Sequence, residues 1–111
     1  MTSLDKQMLK GATRTLLLTM LAERPMHGYE LTQAVKSRSG GVFAFSEGTI
    51  YPMLHALEEE ELVRGAWEGH EGGRRRKVYE ITAEGRRALE RRREQWVLFK
   101  RGMDLAMGGA E

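Results

Sequence analysis

Four basic residues stand in a row in HEGGRRRK, residues 70–77, directly after a pair of glycines. Side chains alternate along an extended strand, so Arg74 and Arg76 point one way and Arg75 and Lys77 the other. A glycine turn lets the backbone approach a phosphate or enter the narrow minor groove of a duplex. There an arginine meets a focused negative potential. The chemistry of this stretch is capture of a polyanion, with Gly73, Arg74, Arg75 and Arg76 as contact residues. The plainer alternative is a hairpin that only adds solubility.

A second cluster opens SEGTIYPMLHALEEEELV, residues 46–63. Ser46, Gly48, Thr49, Tyr51 and Pro52 crowd the start of a helical pattern, and His55 follows one turn later. Hydroxyls can bond phosphate oxygens or base edges, and the unpaired N–H groups of a first helical turn favour an anion. Gly48 keeps the approach open, and Tyr51 can donate to a phosphate or lie along a sugar or a thymine methyl. Two starts fit. With Thr49 as N-cap, Pro52 falls at the third helical position, where its missing N–H is no loss. With Ser46 as N-cap, Pro52 removes one hydrogen bond and bends the helix slightly. Either start is stiff and is expected to aim Tyr51 outward. The acidic run Glu58–Glu61 lies at the far end, so an anion can approach only the first half. For His55 a simple exposed surface histidine is the stronger reading.

Other chemistries lack their residues. No nucleophile sits beside a local base, no phosphate-binding glycine loop occurs, and Asp/Glu pairs fall only on helical surface faces, so no enzymatic activity is expected. His27, His55 and His70 show no metal-ligand spacing, and no metal or cofactor is expected. The chain has no cysteine, which excludes disulfides and fits a cytoplasmic location. There is no apolar run of transmembrane length and no signal peptide, so no membrane partner is expected.

Charge is unevenly placed. Residues 1–63 carry six Lys/Arg against eight Asp/Glu, residues 64–101 twelve against six, and the last ten none against two, within a net charge of +2. Basic charge gathered in one region is the footprint of an anionic partner. At 111 residues, 41% of them hydrophobic, the chain has material for one core.

The elements that must position these clusters follow from periodicity. Residues 4–23 are helical in pattern, through Leu4, Met8, Ala12, Leu16 or Leu17, Met20 and Leu21, with Gly11 a tolerated weak point and Pro25 forcing an end near Arg24. A second helix is expected from Gly28 to Ser37, with Tyr29, Leu31 or Thr32, and Val35 on one face and a stop at Ser39-Gly40-Gly41. The third buries Ile50, Met53 or Leu54, Leu57 and Leu62. Residues 62–68 and 75–82 read as two strands of a hairpin, with Trp67 expected in the core. Thr82 caps a last helix from Ala83 to Met107. The order predicts a mainly α fold with a small β-hairpin: a winged helix-turn-helix over 1–82, a long C-terminal dimerisation helix over 83–107, and a disordered tail over 108–111.

The last helix has too little left in its own chain to pack against. Leu89, Trp96 and Met103 recur every seven residues, with Phe99 and Ala106 alongside and Arg92 interrupting. Such a short seam points to a second copy of the chain, assisted by Leu4 and Met8 of the first helix. A tetramer is the alternative assembly.

HGYEL at 27–31, SEGTIYPMLHALEEEELV at 46–63 and GGRRRKVYEIT at 72–82, followed by AEG, resemble the PadR-like transcriptional regulators. The similarity runs over about residues 4–105 and matches the short-tailed branch, with one C-terminal helix. It implies a homodimeric winged-helix regulator, usually a repressor, on an operator with dyad symmetry. By position it assigns Tyr29, Ser46, Gly48, Thr49, Tyr51 and Pro52 to the DNA-reading unit and Gly73–Arg76 to the wing. Some short-tailed members bind flat aromatic or hydrophobic compounds between subunits, which makes Trp96 and Phe99, with Met103, the candidate effector-binding residues, although interface packing alone is the commoner role. The acidic Glu47 at the helix entrance departs from an anion-binding surface unless it turns to a cap or to a cytosine. The expected function is a sequence-specific transcriptional regulator on double-stranded DNA, a dimeric repressor of a palindromic operator with a small hydrophobic or aromatic effector as candidate releasing ligand. The alternative is a winged-helix protein-interaction module without specific DNA binding, motivated by Glu47 and Glu58–Glu61.

Overall fold

The run LLLTML places Leu17, Leu18, Met20 and Leu21 on one side of helix α1 (Ala12–Leu21), and all four are buried. In the computed structural model, which describes residues 9, 11–69 and 72–108, α1 begins at Gly11, whose φ of 89° lies in the left-handed region. The single helix expected over 4–23 is therefore broken there. An L-residue would be strained at that φ, and glycine is not. Leu4 and Met8 fall outside the described residues. The helix also stops at Leu21, three residues before Arg24, because the N–H of Glu23 already turns to Met20 at 3.1 Å.

A two-residue strand follows that the sequence pattern did not reveal, β1 (Met26–His27), leading directly into α2 (Gly28–Arg38). Helix α2 ends at Ser39, where Gly40 and Gly41 take φ of 64° and 86° and their N–H groups return to Ser37 and Lys36. This paired closure satisfies the last free carbonyls, as the glycines predicted. Phe43 and Phe45 then stack at 6.2 Å in the irregular turn and pack on the core.

Helix α3 (Glu47–Glu59) buries Ile50, Leu54 and Leu57. Strands β2 (Val63–Glu68) and β3 (Arg76–Ile81) pair antiparallel from Val63↔Ile81 to Glu68↔Arg76. With β1 paired to the other edge of β3, the sheet has three strands in the order β1-β3-β2 rather than two. Tyr79 is fully buried against the helices, and burial raises its phenol pKa.

Helix α4 (Ala83–Ala106) starts as predicted on Thr82, whose hydroxyl accepts from the Gly85 N–H at 3.0 Å. Its first turn lies on the end of α3: the Thr82 N–H donates to the Leu62 carbonyl at 3.0 Å, and a Cβ on Gly85 would stand 2.1 Å from that same oxygen. Only glycine permits that approach. Beyond Leu89 the helix leaves the core. The radius of gyration of 15.7 Å exceeds the ~13 Å of a compact chain this long because the stretch of this helix beyond Leu89, about 26 Å of it, projects.

Leu89 is a correction. Expected on a seam with a second copy, it is only 4% exposed and completes the chain's own core with α1. A side chain already enclosed has no apolar surface to offer a partner. Its burial contributes about 1.5–3 kcal/mol to this fold instead.

Candidate nucleic-acid interface

Ser46 is the N-cap of α3, so the start that places Pro52 inside the helix is the one adopted. Pro52 sits at the sixth position and offers no N–H to the Gly48 carbonyl, one of the two consequences weighed from sequence. The Ser46 hydroxyl makes no cap bond; it lies 3.3 Å from the Thr49 hydroxyl. Both are exposed, with Glu47 and Gly48 between them. The Thr49 N–H returns to the Ser46 carbonyl at 3.0 Å, while the Glu47 and Gly48 amides keep no acceptor of their own among the described residues, with two hydroxyls beside them, an arrangement suited to a phosphate. Glu47 provides no side-chain cap, although its charge favours this end of the helix dipole.

Tyr51 does not project outward as the sequence suggested. It is half-buried, and its ring lies across the start of α2: a Cβ on Gly28 would come within 2.5 Å of its hydroxyl and ring carbon. The aromatic ring gains more by covering that glycine and the core edge than by standing in water. Tyr29, one residue on, is 56% exposed beside it. Pro52 and His55 are exposed on the same helix.

The acidic run closes on internal partners. Glu58 accepts from Lys77 at 3.1 Å and from the Gly65 N–H at 3.2 Å, and Glu60 pairs with Arg14 at 2.5 Å. The Arg14 guanidinium holds the Glu60 carboxyl below the usual carboxylate range. Two of the four acids are thus part of the fold. Glu61 ends α3 with φ of 64°, the one non-glycine described residue in the left-handed region.

On the wing, Gly73, Arg74, Arg75 and Arg76 are all exposed. The strand begins at Arg76 rather than at residue 75, and Arg75 and Arg76 take opposite faces as expected: Arg75 lies 5.5 Å over the Trp67 ring while Arg76 reaches His27. Trp67 is 60% exposed, not core as expected. Beyond Gly65 the hairpin extends past the helices, so nothing stands behind residue 67, and a cation–π contact with Arg75 takes the place of burial.

Sequence reasoning overlooked His27. It caps α2, with the Glu30 N–H 3.4 Å from its Nδ1 and the Glu30 carboxylate accepting from its own N–H at 3.1 Å. That backbone N–H, with Arg24 beyond, lowers the Glu30 pKa. The only cue was the i, i+3 spacing in HGYE, and histidine is not a usual cap. Away from the wing, α4 displays Trp96 and Phe99, stacked at 5.5 Å and both more than half exposed, with Met103 on the same face. Among the described residues no group of acids and histidines could hold a metal ion, and no helix is long and apolar enough to cross a membrane.

The family model described as the transcriptional regulator PadR-like family matches residues 17–91 of this chain, from the middle of α1 through the wing into α4. The chain is 40% identical to Transcriptional regulator Rv3488 of Mycobacterium tuberculosis over 80 residues, 72% of this chain and 71% of that protein. It is 38% identical to Transcriptional regulator YqjI of Escherichia coli over 85 residues, 77% of this chain, which span 39% of that longer protein. The crystal structure of a PadR-like transcriptional regulator from Bacillus cereus superposes with a TM-score of 0.79 at 30% identity, covering 94% of this chain and 99% of the other.

Proposed function

Since the chain belongs to the PadR-like family of transcriptional regulators, we propose that it is a homodimeric repressor that reads a palindromic operator through α3 and the wing. The observation that carries this reading is the pairing of an open, polar first turn of α3 with an exposed basic wing on the same winged-helix unit. In such a unit the first half of the second helix-turn-helix helix lies in the major groove. Ser46, Thr49 and the amides between them meet phosphate or base edges, and His55 lies one turn further along. Arg74 and Arg75 bind the flanking backbone or minor groove.

Dimerisation through α4 supplies the dyad. Trp96, Phe99 and Met103 form an apolar stripe that the described residues leave about half exposed, and a second copy would bury it. Because α4 is tied to the end of α3 through Thr82 and Gly85, the dimer sets the separation of the two reading helices. A small hydrophobic or aromatic effector intercalated at the Trp96–Phe99 stack would alter that separation and release the operator, in the cytoplasm where the DNA is.

The test is selection of fragments from the organism's own genomic DNA by the purified protein, followed by sequencing. Retention of a short palindrome at a fixed salt concentration is expected. Retention with no preference over random DNA would refute sequence-specific regulation through this surface. It would also revive the protein-interaction reading, which the internal pairing of Glu58 and Glu60 has left with less to stand on.

A further inference from the structure

His27 stands between the wing and the first turn of α2, and both of its ring nitrogens face donors. The Glu30 N–H is 3.4 Å from Nδ1, and the Arg76 guanidinium is 2.9 Å from Nε2. A neutral imidazole has one N–H and one accepting nitrogen, and arginine never gives up its proton. Only one of the two contacts can therefore be a hydrogen bond. The Arg76 contact is the shorter and comes from a charged donor, so it prevails and puts the ring proton on Nδ1. The Glu30 amide, 3.4 Å away, is one of the free donors of a helix start and can turn to water.

We propose that His27 is a positioning residue for the wing: its neutral ring, accepting through Nε2, anchors Arg76 in the orientation that meets the duplex. The inference rests on the DNA-binding reading above. Arg76 is exposed and held at one nitrogen, so its other N–H groups stay available to a phosphate. The ring is faced by Glu30 and Arg76, with Arg24 behind Glu30 at 3.3 Å and Tyr51 over the neighbouring Gly28. Without that acceptor the wing keeps its charge but loses a fixed arginine. Immobilising such a side chain on binding costs a factor of about three to ten in affinity.

The experiment measures affinity for the selected operator at one pH and constant salt. The native protein, His27→Gln, His27→Leu, Arg76→Ala and the His27→Leu/Arg76→Ala double variant are compared. A glutamine can accept from Arg76 through its amide oxygen, and a leucine cannot. His27→Leu is expected to weaken binding about three- to tenfold, His27→Gln to restore it, and His27→Leu to cost nothing further once Arg76 is replaced. A His27→Leu variant that binds as the native protein does, or that weakens binding equally in the Arg76→Ala background, overturns the proposal. A nitrogen-15 spectrum of the native imidazoles at pH 8 decides the local geometry without DNA and without a variant. It should show the His27 proton on Nδ1, and a proton on Nε2 overturns the inference. If no DNA is retained while the spectrum is as expected, it is the DNA-binding reading that has failed and not the His27–Arg76 contact.

Discussion

Replacing Glu61 by glycine should make this protein more stable, although a charged residue is lost and a flexible one gained. Glu61 closes α3: its N–H returns to Glu58 at 3.0 Å, the Leu62 N–H returns to Leu57 at 2.9 Å, and its own φ is 64°. That pair of bonds is the glycine-type helix closure, occupied here by a residue with a Cβ. Holding an L-residue in the left-handed region costs about 1–2 kcal/mol, and glycine gives back about 0.5–1 kcal/mol through the freedom of its unfolded chain. Removing a carboxylate from the negative end of a helix adds about 0.3 kcal/mol or more. The net expectation for Glu61→Gly is a gain of about 1 kcal/mol. With a urea m-value of about 1–3 kcal/mol/M, the unfolding midpoint should rise by roughly 0.3–1 M. Protein concentration must be held equal, because the proposed dimer would contribute to the measured stability. Glu61→Ala keeps the backbone strain and loses the charge, so it should move by less than about 0.5 kcal/mol. A midpoint for Glu61→Gly at or below the native value, or a gain matched by Glu61→Ala, would show that the left-handed turn is not strained as argued. The Glu61 carbonyl also accepts from the Thr82 hydroxyl at 2.7 Å, where α4 joins the winged-helix unit.

Other outcomes follow from the same geometry. Trp96→Glu should place a charge in the apolar stripe of α4 and yield monomers by light scattering at micromolar concentration, with operator affinity lost alongside; a variant that stays dimeric would mean α4 is not the seam. Arg75→Ala should weaken operator and random DNA alike and lower the salt dependence of binding by about one unit of log slope, as expected for one lost phosphate contact. An unchanged slope would leave Arg75 as a partner of Trp67 only. Glu30 and Glu60 have carboxyl pKa values lowered in the fold, by the His27 N–H and by Arg14 respectively. A lowered folded value means their stabilisation is present above the unfolded carboxylate pKa and is lost as pH falls through the folded one. Urea midpoints should therefore drop below about pH 4, each pair contributing less than about 1 kcal/mol because solvent reaches and screens both acids. Glu60→Gln should flatten part of that drop, and a profile identical to the native one would remove Arg14–Glu60 from the account.

Local patterns in the chain were enough for the elements that bury one face and end on unmistakable signals. The helical spacing of Ile50, Leu54 and Leu57, the stop at Gly40-Gly41, the cap at Thr82 and the alternation of the wing arginines are all in the structure as read. So was the family, because SEGTIYP and GGRRRKVYEIT carry both the start of α3 and the wing. Glu61 was not legible as a left-handed closure, because a glutamate among four glutamates looks like the last turn of a helix. Strand β1 was not legible either, since two residues have no periodicity and exist only as an edge to β3.

The sequence by itself determined the order of helices and strands, the position of the basic wing and the family, since these depend on hydrophobic period, turn residues and charge, which are local. Only the tertiary structure decided which neighbour each ambiguous side chain has. Leu89 turned into its own core, Trp67 out into solvent and Tyr51 across Gly28, and His27 came to lie against Arg76, 49 residues away. Those outcomes depend on where the hairpin outruns the helices and how closely α4 can approach Leu62. Distance between residues far apart in the chain is set by packing, and no local pattern encodes it.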